Sequence, residues 1–236
     1  GGVNVWKSTN GGTSYTQVAY WASGGTNYVH ADVHDLQYNP RRSGYIYAGT
    51  DGGIFRSFNG GTVWRDYTGT MNIAQIYRMG LSASNANQLI CGHQDNGTNL
   101  RSTTGTWSEV NGGDGMDCFV DYTNNARLFS AIYNGDYYRS TNTGASWTNI
   151  VSGLTGNAAW VAPWQQDPNA VNTLYCGYQD VFKSTNSGTS WTQISTLSGT
   201  STIVDLFVAP SNSQYIYVIK GNVLYKTTNG GTSWTN

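Results

Sequence analysis

The chain has 236 residues, 11% of them charged, and a formal charge of −1. No basic run is longer than Arg41-Arg42, which excludes nucleic-acid binding through a basic stripe, and no apolar stretch approaches the roughly 18 residues that span a bilayer. Thirty glycines, 14% aromatics and a single glutamate, Glu109, disfavour helical bundles and doubly wound α/β folds, because Tyr, Trp, Thr and Val favour strands.

In chain order the elements repeat. Residues 1–24 supply a third and a fourth strand around Lys7-Ser8-Thr9-Asn10-Gly11-Gly12-Thr13-Ser14-Tyr15. From His30 a full unit follows: Val33 to Tyr38, a turn over Asn39-Pro40-Arg41-Arg42-Ser43-Gly44, then Tyr45 to Gly49, then Gly53 to Arg56, then a strand opened by Trp64. Similar units start near Ile73, Met116, Ala158 and Thr202, with second strands at Leu89–Gly92, Leu174–Gly177 and Tyr215–Val218. The S-x-N-x-G turn returns at Ser57, Ser140, Ser184 and Thr227, and a shortened copy stands at Ser102, so the intervals run from 38 to 49 residues. Four short strands in each forty-odd residues is the signature of a propeller blade. Asn folds its side chain back onto the turn, and the Gly two places later supplies a positive φ. The expected fold is an all-β propeller, one domain over 1–236, with five complete blades and a leading half blade. The unfinished half blade points to a piece of a longer propeller. The opening Gly1-Gly2-Val3-Asn4 shows neither region of a secretory leader.

The turn resembles the Asp-box (S-x-D-x-G-x-x-W) of the bacterial neuraminidase repeat, with Asn10, Asn59, Asn142, Asn186 and Asn229 where that family usually has Asp. An Asn makes the same turn without the charge. Within that superfamily, His30-Ala31-Asp32-Val33-His34-Asp35, Gly49-Thr50-Asp51-Gly52-Gly53 and Gln94-Asp95-Asn96-Gly97-Thr98 are similar to secreted, glycosyl hydrolase-like propeller proteins of Bacteroidetes. The resemblance implies a secreted or cell-surface bacterial protein, which the Asn/Thr/Ser/Gly-rich surface also suits. Sialidase activity is argued against. Those enzymes hold a carboxylate with three arginines, whereas Arg56, Arg101 and Arg139 share one repeat slot with Lys7, Lys183 and Lys226.

In propellers the links between second and third strands, and between fourth and first, share the ligand end. Eight of the 13 acidic residues (Asp32, Asp35, Asp51, Asp95, Asp114, Asp117, Asp136 and Asp180) and all three histidines fall there. His30-x-Asp32-x-His34 reads either as a metal site on one strand face, completed by His93 or Asp51, or as a hydrogen-bonded polar mouth. A glycosidase would need two carboxylates, either Asp35 with Asp117 or Asp51 with Asp114; as Asp-Gly steps, Asp51 and Asp114 also suit plain turns. Trp64, Trp147, Trp191 and Trp234 occupy one slot and are structural. Tyr20, Trp21, Tyr77, Tyr133, Trp160 and Trp164 lie outside it, and Tyr77 and Trp160 are the first choices for stacking on sugars, against inter-blade packing. With His30, Asp32, His34, His93 and Asp95 they complete the expected ligand set. Asn96-Gly97-Thr98 is a glycosylation sequon.

Cys91 and Cys176 share a small, buried second-strand slot with Ala48, Ser130 and Val218, while Cys118 sits on an inner strand, so three free, buried thiols are expected. No cofactor is called for, and no oligomeric state is read. The expectation is a binding module for a polysaccharide or an extracellular protein. The alternatives are a xyloglucanase-like hydrolase using two Asp residues, or a structural part of an extracellular assembly.

Overall fold

The computed structural model describes residues 2–22, 24–71 and 74–236. Among them the regular structure is β-strand, relieved by two single 3-10 turns, Thr68–Thr70 and Tyr133–Gly135. The chain forms two compact units, Gly1–Ala74 and Gln75–Asn236. The first holds a two-stranded sheet, Val5–Lys7 with Thr16–Ala19, and blade I, made of Val33–Tyr38, Ile46–Thr50, Gly53–Ser57 and Trp64–Asp66. The second holds four antiparallel meanders. Blade II is Arg78–Leu81, Leu89–Gly92, Thr98–Arg101 and Trp107–Asn111; blade III is Gly115–Val120, Leu128–Ile132, Asp136–Ser140 and Thr148–Asn149. Blade IV is Trp164–Gln166, Leu174–Gly177, Val181–Ser184 and Thr192–Gln193; blade V is Ile203–Val208, Ile216–Lys220 and Val223–Thr227.

Two expectations change. The fifth unit is a three-stranded sheet whose fourth strand shrinks to one bridge, Lys226 to Thr235. The unit expected from Ala158 has its first strand at Trp164, because the chain before it is a link ending in Pro163, which has no N–H to give a ladder. The expected start at Ile73 lies outside the described residues; that inner strand begins at Arg78.

The blades of the second unit pack face to face. Ile90 and Leu100 of blade II bury against Cys118, Val120 and Leu128 of blade III. Phe129 and Tyr137 of blade III bury against Trp164 and Cys176 of blade IV, with Tyr137 stacked on Trp164 at 4.3 Å. Tyr175 and Val181 of blade IV bury against Ile203, Leu206 and Ile216 of blade V. In the first unit Val5 and Ala19 share a core with Val33, Ile46, Phe55 and Trp64. Equivalent slots are exact in register: Leu36–Ala48–Phe55, Met79–Cys91–Asn99, Cys118–Ser130–Tyr138, Trp164–Cys176–Phe182 and Leu206–Val218–Tyr225. All three cysteines are buried and free.

Each full turn is stapled by one hydroxyl. Ser184 Oγ, buried, accepts from the Gly188 N–H at 2.8 Å and donates to Asn186 Oδ1, which also accepts from the Ser190 N–H. The same bonds recur from Ser8, Ser57, Ser140 and Thr227 at 2.8–3.0 Å to the fourth residue on. The backbone takes two successive left-handed residues here, and the first of them is Thr143 (φ 58°) or Ser187 (φ 56°) where other turns have Gly. In two turns the base just before the turn hydroxyl grips the next turn along the chain: Lys7 Nζ donates to Gly60 O, and Arg139 to Ser187 O. Two of the slot tryptophans also lock blades together, Trp191 Nε1 donating to Ile150 O and Trp234 Nε1 to Ile194 O.

Two predictions follow from the turn. Ser184→Ala orphans a buried N–H and should cost about 1–3 kcal/mol, whereas Asn186→Asp keeps both acceptor roles and should stay within about 0.5 kcal/mol. Thr143→Gly relieves a left-handed β-branched residue and should stabilise by up to about 1 kcal/mol. Urea unfolding of the three variants checks both; an Asn186→Asp loss as large as that of Ser184→Ala would show that the amide N–H, rather than the oxygen, holds the turn.

Candidate functional site

In the first unit the strand begins only at Val33, and Asp32 takes a left-handed φ of 58°. The chain therefore bends between the histidines, and the strand face expected to carry His30, Asp32 and His34 together does not reach back to His30. His34 Nε2 lies 2.5 Å from Asp51 Oδ1, with the imidazole largely exposed. The His30 ring lies over Gly52, where a Cβ would fall 2.2 Å from it, and Nδ1 lies 3.2 Å from Ala31 O. Asp35 is exposed on the inner strand and accepts from Gln37 Nε2 at 2.9 Å.

In the second unit the link after Gly92 is braced from blade III. The Gly97 N–H donates to Gly113 O and the Gly115 N–H to His93 O. A Cβ on Gly115 would stand 2.2 Å from Gly97 O, so only glycine permits this approach. Asp95, left-handed at φ 62°, donates its N–H to Asp114 Oδ1 at 3.0 Å. His93 is buried, with Nδ1 3.2 Å from Asn99 Nδ2. Burial pulls its pKa down against the opposing hydrogen bond to Gly97, which favours the neutral ring. Tyr77 Oη donates to Gln94 Oε1.

One slot of the inner strands carries charge. Arg78, Asp117, Pro163 and Asp205 each precede the register residues Met79, Cys118, Trp164 and Leu206. Burial pushes the Asp117 carboxyl up to about 6. The Arg78 guanidinium and the N–H groups of Cys118 and Trp164 pull it down, and the Asp205 carboxylate pushes it up. Asp205 itself accepts from the Leu206 N–H at 2.9 Å.

Other carboxylates at this end are spent on structure. Asp136 accepts from Tyr138 Oη and Asn149 Nδ2, and Asp180 accepts from Ser195 Oγ and the Leu197 N–H. Tyr133 and Trp160 stack on each other, ring centroids 5.0 Å apart and 6° from parallel, and stay 43% and 45% exposed. Tyr77 is half-buried against the blade III–IV core, and Trp164 belongs to that core.

The expected pairs each divide between the units: Asp35 and Asp51 stand in the first, Asp117 and Asp114 in the second. Within the second unit Asp95 meets Asp114, and Tyr77 and His93 flank the same link. Arg78 and Asp205 gain their interest from Asp117, and Tyr133 from Trp160. Aligning the inner strands residue by residue would have picked out the first two.

No protein-family model matches the chain, and no curated protein matches it. Solved structures do. An ancestral GH74 enzyme is 19% identical with a TM-score of 0.57, over 86% of this chain and 31% of that one. The Niastella koreensis GH74 enzyme is 20% identical with a TM-score of 0.54, over 98% and 42%. The extracellular domain of a hybrid two component system from B. thetaiotaomicron is 15% identical with a TM-score of 0.54, over 94% and 29%. The chain thus spans less than half the length of each. At these identities the likeness establishes the fold, an all-β propeller of four-stranded blades. Among the described residues no helix is long and apolar enough to cross a membrane.

The raised Asp117 pKa fixes a pH dependence. The folded protein holds this proton more tightly than the unfolded chain, so the group's cost is absent below about pH 4 and fully present above about pH 6. Asp117→Asn should stabilise the protein by about 1–3 kcal/mol at about pH 8, and by almost nothing near pH 4. Urea titrations at the two pH values test this, and an equal effect at both would remove the carboxylate's charge as the cause.

Proposed function

We propose that this chain is a glycan-recognising module of a secreted or cell-surface bacterial protein, built on Asp-box blades and reading residues 1–236 as one propeller domain. The observation that carries the reading is an asymmetry within the second unit. At one end the side chains are consumed by the Ser-x-Asn turns and the bases that grip them. The other end carries aromatic and charged groups outside the repeat slots: Tyr77, Tyr133, Trp160, and the Arg78–Asp117–Asp205 slot. Two GH74 enzymes and the extracellular domain of a hybrid two component system share the fold, and the GH74 likeness sits well with a carbohydrate ligand. His30, Asp32 and His34 belong in this proposal as polar lining of blade I, and the reading needs no cofactor.

A hydrolytic reading has one observation in its favour, the Asp117 carboxyl held near neutrality. A carboxylic acid with a pKa of about 6 suits a general acid toward a glycosidic oxygen. Asp205, in the same slot, would then be the base candidate within this unit.

The test is reducing-sugar release and pull-down on plant, algal and bacterial polysaccharides, with wild type and Asp117→Asn side by side. Retention without release, unchanged by Asp117→Asn, is the expected result. Release that Asp117→Asn abolishes would make the protein a hydrolase. Neither retention nor release from well-folded protein would sink the glycan reading in favour of a protein partner or a scaffold role.

A further inference from the structure

The Tyr133–Trp160 pair is built in a way that packing alone does not require. Tyr133 opens the link after the second strand of blade III, and Trp160 lies in the link between blades III and IV. The two links are already fastened without the rings. The Asn134 N–H donates to Trp160 O at 3.1 Å, and the buried Tyr178 Oη donates to Gly135 O at 2.6 Å. Gly135 packs so closely on Ala158 and Tyr178 that a Cβ would meet both near 3.0 Å. Asn134 is held left-handed at φ 59°, a strained conformation for a residue with a side chain. The repeat does not ask for these rings. At the corresponding link blade I has Asp51-Gly52, blade II has Gln94-Asp95 and blade V has Gly221-Asn222.

We propose that the parallel Tyr133–Trp160 rings form a stacking platform for a neutral pyranose unit of a polysaccharide, a site that rests on the glycan reading above and narrows its ligand class. The rings face each other, and each residue keeps much of its surface in solvent, at 43% and 45% exposure. A pyranose whose ring hydroxyls are all equatorial presents a flat face of C–H groups, and that face fits an aromatic ring through apolar contact. The links that carry the rings are tied by neutral backbone and hydroxyl groups. A braced platform loses little conformational entropy on binding, which favours affinity from a small contact. Recognition should therefore resist salt, unlike docking of a basic protein on the carboxylates of the same end.

The experiment is native gel electrophoresis through soluble β-1,4-linked xyloglucan, mixed-linkage β-glucan or xylan, at low and at high salt. Wild type should be retarded by at least one of these at both salt levels, and Tyr133→Ala and Trp160→Ala should each weaken the interaction about tenfold or more. Trp160→Phe should keep most of it. Thermal unfolding of each variant controls for folding, and Tyr133→Leu and Trp160→Leu, which keep apolar bulk without the ring, replace any alanine variant that unfolds. Retardation unchanged in the well-folded ring variants would overturn the platform and leave the glycan reading standing. Retardation of wild type that disappears at high salt would also overturn it, since charge would then be the means of recognition. No retardation or pull-down of wild type by any polysaccharide would overturn the glycan reading, and the platform with it.

Discussion

A single hydroxyl, buried at Ser57, Ser140, Ser184 and Thr227, closes the full turns on which the blades depend. Ser184 Oγ accepts from the Gly188 N–H and donates to Asn186 Oδ1, and that oxygen also accepts from the Ser190 N–H. Two successive left-handed residues point backbone donors inward, and without these acceptors the donors would be buried and unpaired. With the turn closed, Trp191 is delivered to Ile150 O of the preceding blade, and Arg139 of that blade reaches Ser187 O in the turn. Local turn chemistry and inter-blade packing are one device. An oxygen is what the turn demands of its third residue, so Asn serves where the resembling family uses Asp.

That coupling explains what could be read from sequence. A repeat reports its own register, because each slot is filled by residues that solve the same packing problem. Val33–Tyr38, Leu89–Gly92 and Leu174–Gly177 have the expected bounds, and Ala48, Cys91, Ser130, Cys176 and Val218 do share one buried slot. The left-handed residues Thr143 and Ser187 escape notice because nothing in their side chains announces a positive φ. The bend at Asp32 escapes for a related reason. Spacing of two suggests a strand, but the strand starts only where Val33 enters the core.

The candidate site was harder to read because it depends on contacts that no repeat slot encodes. Asp117 is an ordinary inner-strand residue in sequence. Its altered acidity comes from burial between blades and from Arg78 and Asp205, 39 and 88 positions away in the chain. Trp160 could be singled out as a tryptophan outside the Trp slot. Tyr133 stands outside that slot too, but the pairing of the two rings could not be read, since their meeting is set by the Asn134 to Trp160 backbone bond between two links.

The distribution of freedom along a blade then decides where function is placed. The central slot of the second strand, Ala48, Cys91, Ser130, Cys176 and Val218, is confined to small or branched residues, and the turn is confined by its staple. The inner-strand slot of Arg78, Asp117, Pro163 and Asp205 tolerates a cation, two carboxyl groups and a pyrrolidine ring in one unit, so packing does not dictate its chemistry. The links after the second strand vary in the same way, from Asp51-Gly52 to Tyr133-Asn134-Gly135. A repeat fold can change such positions blade by blade without disturbing the core. Side chains outside the repeat's own chemistry accordingly gather where the repeat is least strict, at the link end of the blades and away from the stapled turns.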